Sequence, residues 1–87
     1  MIEKEIEVVN RAGIHTRPAA MIVKLAAKYK SDLFLLRDGF SINAKSIIGV
    51  MTLAAEQGAK LKARADGIDE NDAVDALASL FAEGFGE

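Results

Sequence analysis

The chain has 87 residues, of which 51% are hydrophobic and 28% charged, and its formal net charge is −2 at pH 7. This length predicts a single domain over residues 1–87, and the slight negative charge argues against nucleic acid as the main partner. No apolar run approaches the roughly 20 residues that cross a bilayer. The sequence has no cysteine and its start lacks the apolar stretch of a signal peptide, so we expect a cytoplasmic protein without disulfides.

Alternating residues at the start of the chain predict a half-buried first strand. The apolar positions are Ile2, Ile6 and Val8, with Lys4 on the same side, and the charged positions are Glu3, Glu5 and Glu7. Residues 10–13 are predicted to form a loop.

His15, the only histidine, stands at the predicted start of the first helix, which we expect to run from about Thr16 to Tyr29. Pro18 suits a first helical turn because its missing N–H costs nothing there. Unpaired backbone N–H groups and the positive end of the helix dipole favour phosphate-like anions at this position. Arg17 adds a guanidinium that can bind phosphate oxygens. The pattern therefore suggests an imidazole that accepts a phosphoryl group.

Other interpretations of His15 remain open at this point. A single histidine before a helix is most often a cap or a solvated loop residue. A metal site is less well supported, because no cysteine or second histidine completes a coordination shell. Spacing does not exclude a Ser-His-Asp arrangement, although no segment resembles a nucleophile elbow.

The first helix has two different faces. One stripe is apolar and is expected to face the core: Ala19, Ile22, Val23, Ala26 and Tyr29. A basic stripe begins beside the histidine and has small or apolar neighbours: Arg17, Lys24 and Lys28, flanked by Ala20, Met21 and Ala27. Such a face is usually just solvated, but it also suits a partner with an acidic rim and an apolar centre.

The middle of the chain predicts a hairpin followed by a short helix. A buried strand from Leu33 to Arg37 leads through an Asp-Gly turn to a return strand at residues 40–42, which is short enough to be a sheet edge. Ser46 is expected to cap a helix from Ile47 to about Leu53. Ile47, Ile48 and Met51 lie on the other side of that helix from Val50 and Leu53, so one set can be buried and the other exposed as a partner surface.

The last third of the chain predicts a strand and a helix. Lys60, Lys62 and Arg64 alternate with apolar residues, and their charges oppose those of the first strand, so we expect the two strands to pair. Asp69 is expected to cap a third helix that ends at Gly84. Its predicted buried stripe is Ala73, Val74, Leu77, Leu80 and Phe81.

Several segments together resemble the HPr family, the histidine-containing phosphocarriers of the bacterial sugar phosphotransferase system. They are Gly13–Ala19, Asn43–Met51, Asp69–Ala73 and the closing Gly84–Glu87. The resemblance covers essentially the whole chain and implies an α+β fold: an open-faced sandwich in which a four-stranded antiparallel sheet carries three helices on one face, in the order βαββαβα.

The resemblance also implies a function. Enzyme I, charged by phosphoenolpyruvate, would phosphorylate His15 on Nδ1, and His15 would pass the group to a sugar-specific enzyme IIA, without a cofactor or metal. Thr16, Arg17 and Pro18 would form the phosphate-stabilising helix start. The chain would be a carrier and not a stand-alone enzyme, and we expect a monomer without membrane insertion. The expected partner surface is Ala20, Met21, Lys24, Ala27, Ile47, Ile48 and Met51.

Ser46 matches the regulatory serine of the family, which an ATP-dependent HPr kinase/phosphorylase modifies and whose modified form binds transcriptional co-regulators in some bacteria. Added negative charge beside Ile47 and Ile48 should weaken docking of an acidic partner. Two alternatives stay open: an HPr-like regulator in a nitrogen or carbon signalling branch not coupled to sugar uptake, and a small scaffold in which His15 and Ser46 are only caps.

Overall fold

The computed structural model describes residues 1–87, and the four strands form one antiparallel sheet in the order β1-β4-β2-β3. The elements are β1 (Ile2–Glu7), α1 (Thr16–Ala26), β2 (Asp32–Arg37), β3 (Phe40–Asn43), α2 (Ile47–Thr52), β4 (Lys60–Asp66), α3 (Glu70–Ala82) and a 3-10 turn (Gly84–Gly86). The three helices cover one face of the sheet, so the predicted open-faced α+β sandwich is confirmed. None of these helices has the length and apolar character needed to span a bilayer.

The predicted pairing of the first and last strands is confirmed. Glu3 lies opposite Arg64, Glu5 opposite Lys62 and Glu7 opposite Lys60. The Arg64 guanidinium reaches a Glu3 carboxylate oxygen at 2.5 Å. Exposed pairs of this kind contribute only a few tenths of a kcal/mol each, so they favour this pairing more than they stabilise the sheet.

Lys4, the charged residue on the apolar side of β1, is accommodated by an ion pair with α3. Its Nζ lies 3.6 Å from a carboxylate oxygen of Asp75. The Lys4 side chain remains about half exposed, because β1 is at the edge of the sheet. The edge position and the acidic partner explain why a lysine is tolerated on the apolar side of β1.

The β2–β3 connection is the predicted two-residue turn. Asp38 and Gly39 both have positive φ, at 49° and 86°, as a type I′ hairpin requires. The return strand β3 pairs only with β2 and forms the other edge of the sheet, as its length suggested.

Most of the predicted core is confirmed, with differences at its margin. Ala19, Ile22 and Ala26 of α1 are buried, whereas Val23 and Tyr29 are only partly buried. Leu80 of α3 is also only partly buried. These three side chains pack against the core only in part, so each buried stripe is narrower than the apolar pattern predicted. The buried part of α3 consists of Ala73, Val74, Leu77 and Phe81.

α1 ends at Ala26, three residues before the predicted end at Tyr29. The N–H groups of Lys28 and Tyr29 donate to the carbonyls three residues back, at 3.1 and 3.2 Å. This tighter winding closes the helix, and the Lys45 ammonium then donates to the Tyr29 carbonyl at 2.9 Å.

Asp69 occupies the N-cap position of α3, but its side chain does not cap that helix. Its carboxylate instead accepts hydrogen bonds from the backbone N–H groups of Lys30 and Ser31, at 2.9 and 2.8 Å, and from the Ser31 hydroxyl. These bonds lower the pKa of Asp69 to about 2, the Ser31 hydroxyl contributing most. Asp69 therefore ties the start of α3 to the turn after α1.

Candidate functional site

His15 is the N-cap residue of α1 and has an extended backbone, with φ −96° and ψ −165°. Its imidazole does not cap the helix, and its side chain is 43% exposed. The preceding Ile14 is buried and its N–H donates to the Ala55 carbonyl at 2.9 Å. The loop therefore anchors Ile14 in the core and presents the next side chain to solvent.

Gly13 is required for this loop to approach the segment after α2. Its φ is +72°, and a Cβ added there would lie 2.5 Å from the Ala55 carbonyl oxygen. A side chain would collide with the oxygen that accepts the Ile14 N–H. Glycine thus sets the position of His15 through one close backbone contact.

The start of α1 has unpaired donors beside the imidazole. The N–H groups of Thr16 and Arg17 have no hydrogen-bond acceptor, and Pro18 has no N–H. Ala19 is the first residue whose N–H bonds within the helix, to the His15 carbonyl at 3.0 Å. Two donors and the positive helix end are therefore available to an anion.

One carboxylate contacts both charged side chains of this region. Oε2 of Glu87 lies 2.9 Å from Nε2 of His15 and 3.2 Å from an Nη atom of Arg17. The same Arg17 nitrogen is 3.5 Å from the Phe85 carbonyl oxygen. Nδ1 of His15 has no hydrogen-bond partner. The closing segment of the chain thus covers one ring nitrogen and leaves the other free.

The Glu87 carboxylate is itself held by a buried amide. Nδ2 of Asn10 donates to Oε1 of Glu87 at 3.0 Å and to the Gly13 carbonyl at 2.8 Å. The Asn10 hydrogen bond is the largest cause that lowers the pKa of Glu87, and the charge of His15 and the bonds from His15 and Arg17 act in the same direction. The carboxylate is therefore ionised at neutral pH.

A left-handed turn brings Glu87 to the site. Gly84, Phe85 and Gly86 all have positive φ, at 63°, 58° and 74°. The Phe85 ring is fully buried and packs edge-on against Phe81, with ring centroids 4.9 Å apart. The turn reverses the chain after α3 and anchors it through one aromatic side chain.

Sequence reasoning identified His15 and Arg17 but missed Asn10, Phe85 and Glu87. The glycines on either side of Phe85 indicate a reversal after a helix. Nothing in the local pattern states that the reversed chain reaches a histidine 72 residues earlier. Asn10 was placed in the predicted loop without a role.

The second predicted site residue, Ser46, is the N-cap of α2, as predicted. Its Oγ accepts a hydrogen bond from the Gly49 N–H at 3.1 Å. Ile47, Ile48 and Met51 are 40%, 74% and 44% exposed, whereas Val50 is fully buried. The apolar patch on the outer face of α2 is therefore present at the surface.

The predicted partner-surface residues of α1 lie on the neighbouring helix, since α1 and α2 contact each other. Ala20 and Lys24 are exposed, Met21 is half-buried, and Ala27 is exposed at the end of α1. Arg17 and Lys28 are also exposed, so the basic stripe reaches solvent along its length. We define the docking face as Ala20, Met21, Lys24, Ala27, Ile47, Ile48 and Met51.

The site lies on an open surface and not in a pocket. A cavity of about 490 Å³ is lined by Arg37, Phe40 and Leu53 among others, and His15 lines none of the larger cavities. Small-molecule sites are concave, whereas an exposed imidazole on an open surface is accessible to another protein. No group of three His, Asp or Glu side chains is arranged to hold a metal ion.

Comparison with known proteins agrees with this geometry. The family model described as the PTS HPr component phosphorylation site matches residues 2–83. Phosphocarrier protein HPr of Treponema pallidum is 46% identical over 100% of this chain and 99% of its own length. The HPr-like protein Crh of Bacillus subtilis is 41% identical over 95% of this chain and 98% of its own length.

Solved structures give the same result. The crystal structure of HPr-C-His from Thermoanaerobacter tengcongensis is 44% identical, with a TM-score of 0.96 over 100% of this chain and 98% of that one. An HPr dimer from the same organism superposes with a TM-score of 0.80, at 44% identity over 100% of both chains. The chain therefore belongs to the HPr family of the phosphotransferase system, whose members are phosphocarrier proteins and not stand-alone enzymes.

Proposed function

We propose that this chain carries a phosphoryl group from phosphoenolpyruvate-charged enzyme I, through His15, to a sugar-specific enzyme IIA. The observation that carries the proposal is the exposed imidazole at an open helix start, with Nδ1 unpartnered. Residues 1–87 would act as one cytoplasmic domain.

Nδ1 is the nitrogen that would bond to phosphorus. The N–H groups of Thr16 and Arg17 and the Arg17 guanidinium would stabilise the charge on the transferred oxygens. The Arg17 side chain is 59% exposed and bonded only to the closing segment, so it is free to move toward a phosphate. Pro18 would act only by fixing the first turn.

The docking face would receive both partners in turn. Exposed Ile47, Ile48 and Met51 supply an apolar centre on α2, and Arg17 and Lys24 supply positive charge on the neighbouring helix α1. A partner with an acidic rim would be steered to this face.

The direct test is incubation with phosphoenolpyruvate and enzyme I, followed by intact-mass measurement. We expect an acid-labile phosphate on the wild type and none on His15→Ala, and the label should then pass to an enzyme IIA. Absence of label on the wild type would instead favour the scaffold alternative.

Regulation through Ser46 is a second part of the proposal. A phosphate there would add about −1.5 to −2 charges at the start of α2, beside Ile47 and Ile48. The helix start tolerates an anion, so the fold should persist while docking of an acidic partner weakens. An acid-stable phosphate formed with ATP and the HPr kinase/phosphorylase, absent in Ser46→Ala, would support this. The modified form would be the one available to transcriptional co-regulators.

The alternative is an HPr-like regulator of a nitrogen or carbon signalling branch. The similarity of this chain to an HPr-like protein, Crh, is the observation that favours this alternative. The two functions differ in the acceptor of the phosphate. Labelled His15 that no sugar-specific enzyme IIA discharges would favour the regulator.

We also propose that the chain acts as a monomer, because one docking face must be free for successive partners. Light scattering during size-exclusion chromatography would measure the mass directly. A dimer in solution would overturn this part only; a dimer has been crystallised for the Thermoanaerobacter HPr.

A further inference from the structure

Building on the proposed phosphoryl transfer, we infer that Glu87 is a positioning residue. Its carboxylate, held by Asn10, keeps the proton of the neutral His15 ring on Nε2 and so leaves the Nδ1 lone pair to attack phosphorus. Glu87 lies outside the residues that the family model matches, which end at position 83.

The first step of the argument is the chemistry of the contact. An ionised carboxylate only accepts hydrogen bonds, and Oε2 of Glu87 lies 2.9 Å from Nε2 of His15. Nε2 must therefore be the donor. In a neutral imidazole one nitrogen carries the proton and the other the lone pair, so Nδ1 is the nucleophilic atom.

The second step is that the carboxylate has one orientation. Asn10 is 5% exposed, and its Oδ1 has no hydrogen-bond partner. Turning the amide over would point Oδ1 at the Gly13 carbonyl and at Glu87, which are both acceptors. The amide thus presents its N–H groups to these two oxygens even though its own oxygen stays unpaired. A buried donor fixes Oε1, and Oε2 is then directed at His15.

The transfer step balances with the proton in this place. The Nδ1 lone pair forms the N–P bond, the bond from phosphorus to the donor's leaving group breaks, and its electron pair stays with the donor. Nε2 keeps its proton, so the ring gains positive charge. The negatively charged Glu87 carboxylate, 2.9 Å from Nε2, stabilises that charge. The reverse order of events delivers the phosphoryl group to the acceptor.

The test is the tautomer of His15, measured by long-range ¹H–¹⁵N correlation at a pH where the ring is neutral. We expect the Nε2–H tautomer in the wild type and a mixture in Glu87→Ala. In Glu87→Gln the amide oxygen should stay on Asn10, since that donor is buried, and the NH₂ group should face Nε2. The tautomer should then shift toward Nδ1–H. Glu83→Ala, an exposed change four residues earlier, is the matched control and should resemble the wild type.

A second readout is the position of phosphate after chemical phosphorylation with phosphoramidate, which needs no partner protein. We expect Nδ1 modification in the wild type and a roughly tenfold loss of that preference in Glu87→Ala, by analogy with the roughly 10- to 100-fold losses that follow removal of the partners that orient metal-binding histidines. Identical tautomers and identical isomer ratios in wild type and Glu87→Ala would overturn the inference, and a wild-type-like tautomer in Glu87→Gln would overturn the part assigned to Asn10. Failure of the enzyme I assay on the wild type would count against the proposed function alone, because neither readout here uses enzyme I.

Discussion

At the scale of single residues, the Arg17 guanidinium has two possible acceptors: the closing segment of the chain and a phosphate on His15. In this structure its guanidinium contacts Glu87 and the Phe85 carbonyl, on the side of His15 that carries Nε2. A phosphate on Nδ1 would be a stronger acceptor, with more negative charge than one shared carboxylate oxygen. The exposed contact to Glu87 is weak enough to be exchanged.

Replacing Arg17 should therefore affect transfer and not folding. If the proposed transfer holds, we expect Arg17→Ala to lower the rate of phosphoryl transfer from enzyme I by about tenfold or more, since it removes the charge that we propose stabilises the transferred oxygens. Stopped-flow or quenched transfer assays would measure this. Arg11→Ala, an exposed arginine in the preceding loop, is the matched control, and equal losses in both variants would contradict a specific role for Arg17.

Gly13 gives a second prediction at this scale. Gly13→Ala should destabilise the fold by about 1–3 kcal/mol, because the new Cβ would stand 2.5 Å from the Ala55 oxygen at a positive φ. Urea denaturation would measure the loss. Gly58 has a similar φ of +90° but open space around it. A smaller loss of stability in Gly58→Ala than in Gly13→Ala would therefore separate the cost of the backbone conformation from the cost of the steric clash.

The residues of the site differ in how far the sequence reveals them. His15 and Arg17 are recognisable because a histidine, a basic residue and a proline at a helix start form a local pattern. Asn10 and Glu87 act together across 77 positions, and no local pattern encodes that contact.

At the scale of elements, α2 depends on its cap because it has only six residues. Ser46→Ala removes the acceptor of the Gly49 N–H and should lower the free energy of unfolding by about 1 kcal/mol. Ser46→Asp keeps an acceptor and should be nearly as stable as the wild type. Thermal or urea unfolding of the three proteins checks this, and equal stability of all three would show that the cap is dispensable.

The start of α3 gives a pH prediction. The folded-state pKa of Asp69 is about 2, below its ordinary 3.8, so its stabilising effect is present above the ordinary pKa and is lost as the pH falls through about 2. Asp69→Asn should lower Tm by several degrees at pH 7, and this difference should shrink between about pH 4 and pH 2. A difference independent of pH would contradict the assignment to the charged form.

Elements were predictable where their patterns were regular. The strands, the Asp-Gly turn and the cap of α2 follow from alternation, turn chemistry and one serine. The end of α1 and the side-chain partner of Asp69 were predicted wrongly, because tertiary contacts decide whether a helix makes another turn and where a carboxylate finds donors.

The whole molecule couples its core to its surface site through the closing turn. Phe85 is buried against Phe81, and Glu87 lies two residues further on. Phe85→Ala should cost about 3–5 kcal/mol of stability and should also release Glu87 from His15. Denaturation and the His15 tautomer measure the two effects. Phe85→Leu keeps a large apolar side chain, so it should lose less stability than Phe85→Ala and should keep the tautomer. An unchanged tautomer in Phe85→Ala would show that the carboxylate does not depend on this anchor.

The side of the sheet that no helix covers has a practical consequence. It carries the paired charges of β1 and β4, including Lys62, and the chain contains no cysteine. A thiol introduced as Lys62→Cys would thus be unique. It would allow the protein to be tethered to a sensor chip or to carry a fluorophore on the face of the sheet that no helix covers. The imidazole and the docking face would then remain accessible to a partner protein in solution.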